Sequence, residues 1–352
     1  MKILLFISKL YGGGAERVAT TLLNHLCENH DVTVAIFNKS NSTYPIDNRI
    51  KIINLSDGKK ISPYQLDRII KCRNAIKSTN PDLIISFLVG LNRFVLIANC
   101  FMRKKLILSE QTTIQTRQKP WKWLTRHFLY RLATMTVFTS ESDCQYAQWL
   151  KDKTFIHNPL SCGIYSSHDQ KRDNTIVAIG AQKRWNVKGF DLLIKAWAKT
   201  APNHPEWKLQ FIGSIDDNKI SDMAKAYSIE KQVEFLGWSD NIDKMLQSKS
   251  IYVLSSRCEG FPCSLLEAMS QGCTCLAFDC KTGPNEILSD GINGLLVHNG
   301  DIDDLATKLN QLIEDEHLRL QLSENAIDKV HQFEYGRIMQ QWDELIQMIM
   351  NS

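Results

Sequence analysis

Two carboxylates eight residues apart, Glu259 and Glu267, stand in the segment Ser256-Arg257-Cys258-Glu259-Gly260-Phe261-Pro262-Cys263-Ser264-Leu265-Leu266-Glu267. An apolar run ends at about Ser255 and helical spacing begins near Ser264. That places Glu259 in a loop at the carboxyl end of a strand and Glu267 on the first turns of the next helix. Backbone N–H groups of Phe261 to Leu265 then point toward any anion at the helix start, and Glu267 is placed to hold a ribose or another pair of hydroxyls. A second segment, Gly180-Ala181-Gln182-Lys183-Arg184-Trp185-Asn186-Val187-Lys188-Gly189-Phe190-Asp191, runs from a strand through three cations into a helix. Cations in that position suit a diphosphate leaving group. A third, Tyr11-Gly12-Gly13-Gly14-Ala15-Glu16-Arg17, follows the first apolar run, and its glycines let the backbone approach a phosphate. It does not fit a dinucleotide fingerprint: Arg17 holds the third glycine position, and Asn38 to Ser42 offers no acid for a ribose.

The elements that must position these groups alternate strand and helix. Apolar runs at Lys2–Ser8, Val32–Phe37, Ile50–Leu55, Leu83–Phe87, Leu106–Ser109, Thr136–Thr139 and Phe155–His157 predict one set of strands, with helices such as Ala15–Cys27 and Pro63–Ser78 between them. Thr175–Gly180, Lys208–Ile212, Val233–Leu236, Ile251–Ser255, Thr274–Phe278 and Leu295–His298 predict a second set, interleaved with helices at Phe190–Lys199, Asn241–Gln247 and Ser264–Gln271. Buried parallel strands covered by crossover helices account for both. The polar, aperiodic stretch Ser166–Asn174 divides the chain into residues 1–165 and 174–334. A closing helix over 335–352, with Ile338, Trp342, Ile346 and Ile349 at helical spacing, is expected to pack back on the first domain. Two doubly wound α/β domains would face a ligand cleft from their strand carboxyl edges.

Taken together, these residues resemble the family-4 retaining glycosyltransferases with the GT-B fold. The resemblance rests on the glycine turn with Glu16-Arg17, Asn158-Pro159, Lys188-Gly189, Gly237 after its strand, the Glu259/Glu267 pair, Gly283-Pro284-x-Glu286-Ile287 and Gly291-x-Asn293-Gly294-Leu295-Leu296-Val297. It covers essentially the whole chain, and the Gly-Pro-x-Glu-Ile variant resembles the branch that builds bacterial surface polysaccharide and lipopolysaccharide. The resemblance implies a UDP-sugar donor as co-substrate and no cofactor or metal. Lys188 and one of Lys183 or Arg184 would neutralise the diphosphate, with Gly13 and Gly14 closing over it. Glu267 would hold the ribose, and backbone near Leu236-Gly237 would read the base. Glu259, the catalytic candidate, would contact hydroxyls of the transferred sugar, with Phe261, Pro262, Ser264 and Leu265 around phosphates and sugar. Retention in this family is attributed to a front-face reaction in which the leaving phosphate takes the acceptor proton, so no protein nucleophile is implied. Two departures matter: the loop from Gly180 to Lys188 is two residues longer than usual, and Gln111 stands where many members carry a histidine. A glutamine can hydrogen-bond a hydroxyl but cannot serve as acid or base.

The net charge of +4 hides an asymmetry: 23 basic and 11 acidic residues through His168, then 19 and 27. A basic first half is expected to meet an anionic surface. Arg103-Lys104-Lys105, Arg117 and Lys119 lead into Pro120–Ala133. Read as one helix, this puts Trp121, Leu124, Phe128 and Leu132 on a core face and Lys122, Trp123, Arg126, His127, Tyr130 and Arg131 on a solvent face. Basic residues among aromatics suit an anionic membrane or a lipid-linked phosphate; no nucleic-acid motif accompanies them, so nucleic acid is not expected. MKILLFISKL is too short for a signal h-region and reads as a strand, and the apolar stretch Phe87–Met102 is broken by Asn92 and Arg93. Cys273 and Cys275 alternate on one strand face, and the ten cysteines show no paired zinc spacing. The expectation is a cytoplasmic protein, peripheral on the inner membrane face, that passes a hexose or N-acetylhexosamine to a glycan on polyprenyl diphosphate or lipid A core. The competing readings are a nucleotide-sugar epimerase and a non-catalytic scaffold of the same fold.

Overall fold

A computed structural model describes residues 1–38, 42–56, 65–116, 118–165, 172–215 and 217–352. The chain divides into two compact units, Met1–Ser161 with Tyr335–Ser352, and Cys162–Glu334. The expected boundary stretch lies, from Ser166 to Lys171, outside the described residues, as does Arg117.

In the first unit the strands are β1 (Lys2–Ile7), β2 (Asp31–Ile36), β3 (Lys51–Asn54), β4 (Leu83–Phe87), β5 (Lys105–Glu110), β6 (Met135–Phe138) and β7 (Lys153–Phe155). All pairings are parallel and the order is β3-β2-β1-β4-β5-β6-β7. The central strands are buried on both faces, which is why they read as continuous apolar runs rather than alternating ones. β7 starts two residues earlier than the sequence indicates, because this edge strand is only half-buried and its pairing with β6 begins at polar Lys153. The helix Tyr335–Asn351 buries Ile338, Trp342, Ile346 and Ile349. Its last carbonyls, those of Ile349 and Met350, accept hydrogen bonds from Lys105 Nζ at 2.6 and 3.1 Å, so a cation closes the negative end of the helix.

The second unit contains β8 (Asp173–Ile179), β9 (Lys208–Ile212), β10 (Val233–Gly237), β11 (Lys249–Leu254), β12 (Thr274–Asp279) and β13 (Leu295–His298). Their order is β10-β9-β8-β11-β12-β13, again all parallel. Ile176, Ala178, Trp197, Phe211, Ile251 and Phe278 belong to its core. Cys273 and Cys275 are fully buried, as core thiols rather than ligands. In each sheet the strand order reverses at the first strand: β1 lies between β2 and β4, and β8 between β9 and β11. A parallel sheet opens a crevice beyond the carboxyl ends of its strands at such a point. The turn Gly12–Gly14 follows β1, while the 180–188 and 255–259 loops follow the neighbouring strands β8 and β11.

Candidate functional site

Because β8 and β11 are paired neighbours, the two loops that follow them converge. Lys188 Nζ lies 2.8 Å from Glu259 Oε1, and Ser256 Oγ donates to the same oxygen at 2.6 Å. The two charged side chains are only 16% and 15% exposed. Burial alone would raise the Glu259 pKa, but the Lys188 charge and hydrogen bond, the Ser256 hydroxyl and the Arg184 charge outweigh it and hold the carboxyl below its ordinary value. Glu259 is therefore an ionised carboxylate at neutral pH. Cys258 beside it is pushed the other way by burial and by the Glu259 charge, so its thiol stays protonated and is a poor nucleophile.

Lys188 is held by backbone. The short helix Trp185–Lys188 ends at Gly189, whose φ of +63° starts the helix Phe190–Thr200. A Cβ at Gly189 would meet the Ser255 carbonyl oxygen at 1.8 Å, so only glycine lets these two segments touch. Ser255 Oγ donates to the Lys188 carbonyl at 2.9 Å, and Arg257 N–H donates to that of Val187 at 3.0 Å. The Arg257 guanidinium then grips Asp191 with two bonds of 2.7 Å. Sequence reasoning quoted both residues of this clamp but assigned neither a role, because nothing in either segment marks its partner 66 positions away. Of the two open candidates beside Lys188, Arg184 is exposed, its guanidinium makes no hydrogen bond among the described residues, and it acts electrostatically on Glu259.

Around this pair the other expected donor-side residues take distinct places. Phe261, Pro262 and Leu265 are buried, which leaves their backbone as the part that can meet a ligand. Ser264, on the first turn of the helix Cys263–Ser270, pairs its hydroxyl with Tyr252 at 2.8 Å, and Glu267 lies one turn further on, 5% exposed. Thr282 Oγ1 donates to the Glu259 carbonyl, so the loop after β12 fixes the Glu259 loop from its other side. Gly237 ends β10, two strands from β8, and its carbonyl accepts from Gly213 N–H at 2.9 Å. Ile215 and Trp238 beside it are each 57% exposed.

In the first unit, Gly13 caps the helix Gly14–Leu26. Glu16 folds back on that turn, closely enough that a Cβ at Gly13 would lie 2.5 Å from its Oε2, and Lys9 Nζ is 3.8 Å from Oε1. The helix start thus carries a carboxylate of the chain itself. Gln111 follows β5, is half-buried, and donates from Nε2 to Ser109 Oγ at 2.9 Å.

The expected faces of Pro120–Ala133 hold only in part: Trp121 packs against the core as expected, but other residues change sides. The α-helix covers only Pro120–His127, and a tighter turn, Leu129–Leu132, follows. Arg126, expected at the surface, is 2% exposed and joined to Glu110: Nη2 to Oε1 at 2.9 Å and Nε to Oε2 at 3.0 Å. Tyr130, also expected outside, is buried and donates to Glu110 Oε2 at 2.7 Å. Leu124, Phe128 and Leu132, expected in the core, are 52%, 57% and 56% exposed. The break at Phe128 rotates the later residues out of register, and the buried carboxylate at the end of β5 draws Arg126 inward. Arg126 is therefore a structural cation, not a membrane or acceptor contact. Trp123 and Arg131 are exposed as expected, Lys122 is half-buried, and no helix among the described residues is long and apolar enough to cross a membrane.

Comparison with known proteins places these units. Residues 12–160 match the model of Glycosyltransferase Family 4, and residues 166–329 match that of Glycosyl transferases group 1. A Campylobacter jejuni protein named GalNAc-alpha-(1->4)-GalNAc-alpha-(1->3)-diNAcBac-PP-undecaprenol alpha-1,4-N-acetyl-D-galactosaminyltransferase is 27% identical over all of both chains. The amylovoran biosynthesis glycosyltransferase AmsD of Erwinia amylovora is 28% identical over 98% of this chain and 99% of its own. The crystal structure of Anabaena HepE in complex with UDP matches 99% of this chain and all of its own, with a TM-score of 0.83 at 20% identity. The fold is that of the GT-B glycosyltransferases.

Proposed function

The chain belongs to glycosyltransferase family 4, and we propose that it moves a hexose or N-acetylhexosamine from a UDP-sugar to a lipid-linked glycan in bacterial surface-polysaccharide or lipopolysaccharide synthesis. The observation that carries this reading is the buried Lys188–Glu259 pair at the carboxyl edge of the second sheet, with Arg184 close enough to act on the same carboxylate. Lys188 and Arg184 take the diphosphate, helped by the backbone N–H groups of Phe261, Cys263 and Ser264 at the start of the Cys263–Ser270 helix. Glu267 holds the ribose, and the base lies against Gly237 and Trp238. Glu259, ionised and acceptor-only, orients hydroxyls of the transferred sugar. The acceptor oxygen bonds to the anomeric carbon on the face from which the diphosphate departs, and its proton passes to the departing phosphate oxygen. The configuration is thereby retained, and the cations stabilise the leaving group without a metal ion.

For the membrane side, the corrected geometry offers Trp123, Leu124, Phe128 and Leu132 as an exposed apolar set with Lys122 and Arg131 beside it. That composition suits the anionic inner face of the cytoplasmic membrane. The test is calorimetry with UDP and UDP-sugars, followed by transfer to extracted polyprenyl-diphosphate glycans with and without EDTA. Lys188→Ala and Glu259→Ala are expected to abolish transfer, EDTA to leave it intact, and Leu124→Ser/Phe128→Ser to release the protein from anionic vesicles. Wild-type rates in both site variants would sink the assignment.

A further inference from the structure

The first unit contains a cavity of about 360 Å³ that the donor site does not use and that shares only Trp123 with the membrane-facing set, within the ~300–1,000 Å³ usual for small-ligand sites. It lies between the segment after β5 and the helices Pro120–His127 and Glu141–Tyr146, and its walls include Gln115, Thr116, Gln118, Trp123, His127 and Tyr146. We propose that this cavity is a pyranose-binding subsite for the acceptor glycan, a reading that rests on the glycosyltransferase function and adds where its second substrate is held.

Its chemistry is amphipathic. Trp123 and Tyr146 are 46% and 52% exposed, and they end a continuous aromatic row. His127 is stacked on Trp123 at 4.4 Å and on Trp149 at 3.9 Å, and Tyr146 meets Trp149 edge-on at 5.9 Å. The stack holds the rings rigid before any ligand arrives. The negative faces of such rings attract the weakly positive C–H hydrogens on the apolar side of a pyranose. The walls also carry amides, those of Gln115 and Gln118. Gln118 donates from Nε2 to the Ile114 carbonyl, but its Oε1 is buried with no hydrogen-bond partner among the described residues. A buried acceptor without a donor is a standing cost that a sugar hydroxyl would relieve.

The wall is also built in advance. Asp143 accepts Ile114 N–H at 3.2 and 3.3 Å and the Thr113 hydroxyl at 3.2 Å, while Gln115 Nε2 donates to Ser142 Oγ at 2.8 Å. No Asp, Glu, Lys or Arg among the described residues lines the cavity.

The experiment uses the full chain and two probes, the methyl α-glycosides of galactose and N-acetylgalactosamine, followed by saturation-transfer NMR with UDP present to occupy the donor site. Transfer to ring protons is expected in the wild type, and a loss of at least fivefold in Trp123→Ala and in Tyr146→Ala, with Gln118→Ala weakening it less. UDP binding by calorimetry and the thermal melt of the full chain are expected to stay unchanged in all three, which shows that both units fold. In transfer assays Tyr146→Ala should raise the acceptor KM about tenfold and leave donor KM and kcat near wild type. No transfer in the wild type overturns the proposal, as does equal transfer in all variants. Loss of anionic-vesicle binding in Tyr146→Ala and Gln118→Ala with saccharide contact intact overturns it too, in favour of a membrane contact. Failure of the wild type to bind UDP would instead strike the donor-site reading and leave the glycoside result to stand by itself.

Discussion

Replacing Lys188 by Met should reverse the pH dependence of stability that Glu259 contributes. In the native protein Glu259 has a lowered pKa, so its stabilisation is present above the unfolded carboxylate value and fades as pH falls through the folded one. Without the Lys188 charge and its 2.8 Å bond, burial dominates and the Glu259 pKa rises above its ordinary value. The variant then keeps its stability below about pH 4 and loses it as pH rises through the new folded value. Removing one member of a buried pair costs about 3–5 kcal/mol; with both side chains some 15% exposed, the lower end applies. For a unit of this length, about 3 kcal/mol lowers the melting temperature by roughly 6–12 °C. The assay is urea unfolding from pH 4 to 8, followed by tryptophan fluorescence of the second unit. The deficit should be smaller at pH 4 and reach its full size by pH 7. Lys188→Met/Glu259→Gln, which leaves no buried charge behind, should recover to within about 1 kcal/mol of wild type. A deficit of equal size at pH 4 and 7.5, or a double variant no better than the single one, would refute the reasoning.

Two further predictions concern the scaffold. Burial raises the Asp143 pKa to about 6 against an ordinary 3.8, so ionising it opposes folding; relative to Asp143→Asn, the wild type should lose up to about 3 kcal/mol of stability between pH 4 and 7, measured as the difference in denaturant midpoints. Gly189→Ala must push its Cβ off the Ser255 carbonyl from a positive φ; it should cost at least about 2 kcal/mol and weaken UDP binding with it, whereas Gly90→Ala, in open space on a helix, should be neutral or stabilising in the same thermal melt.

What the residues disclosed in advance follows from where the information lies. The central strands of both sheets were legible because a strand buried on both faces writes its burial into consecutive side chains, as Leu4-Leu5-Phe6 does in β1. The loops were legible for a related reason: Gly180 to Lys188 and Ser255 to Glu259 follow apolar runs, and parallel topology puts the ends of such runs at one edge. The partly reversed faces of Pro120–Ala133 lay beyond this kind of reading. Periodicity assumes one helix, and nothing local reports that Phe128 breaks it. The burial of Arg126 depends on Glu110, which sits on another element, and a pair reveals itself only in three dimensions. The Arg257–Asp191 clamp was hidden in the same way.

The charge asymmetry also takes on a sharper meaning. The second half of the sequence is acidic, and several of its cations are paired with carboxylates: Lys199 with Asp303, Lys208 with Glu234, Lys249 with Asp173, Arg257 with Asp191. Arg184 acts on Glu259 through its charge alone, and Lys188 is committed to the one carboxylate assigned to the sugar. On the proposed reading, the arriving diphosphate and Glu259 compete for one ammonium. Exchanging one anionic partner for another spares Lys188 from being buried unpaired at any stage. The exchange also releases Glu259 as the sugar arrives, so the diphosphate and the sugar are recognised by opposite ends of the same ion pair. Glu259→Gln should therefore bind UDP at least as tightly as the wild type while transferring sugar poorly, and calorimetry beside a transfer assay separates the two effects. If Glu259→Gln bound UDP much more weakly, the carboxylate would be holding Lys188 in place for the diphosphate rather than competing with it.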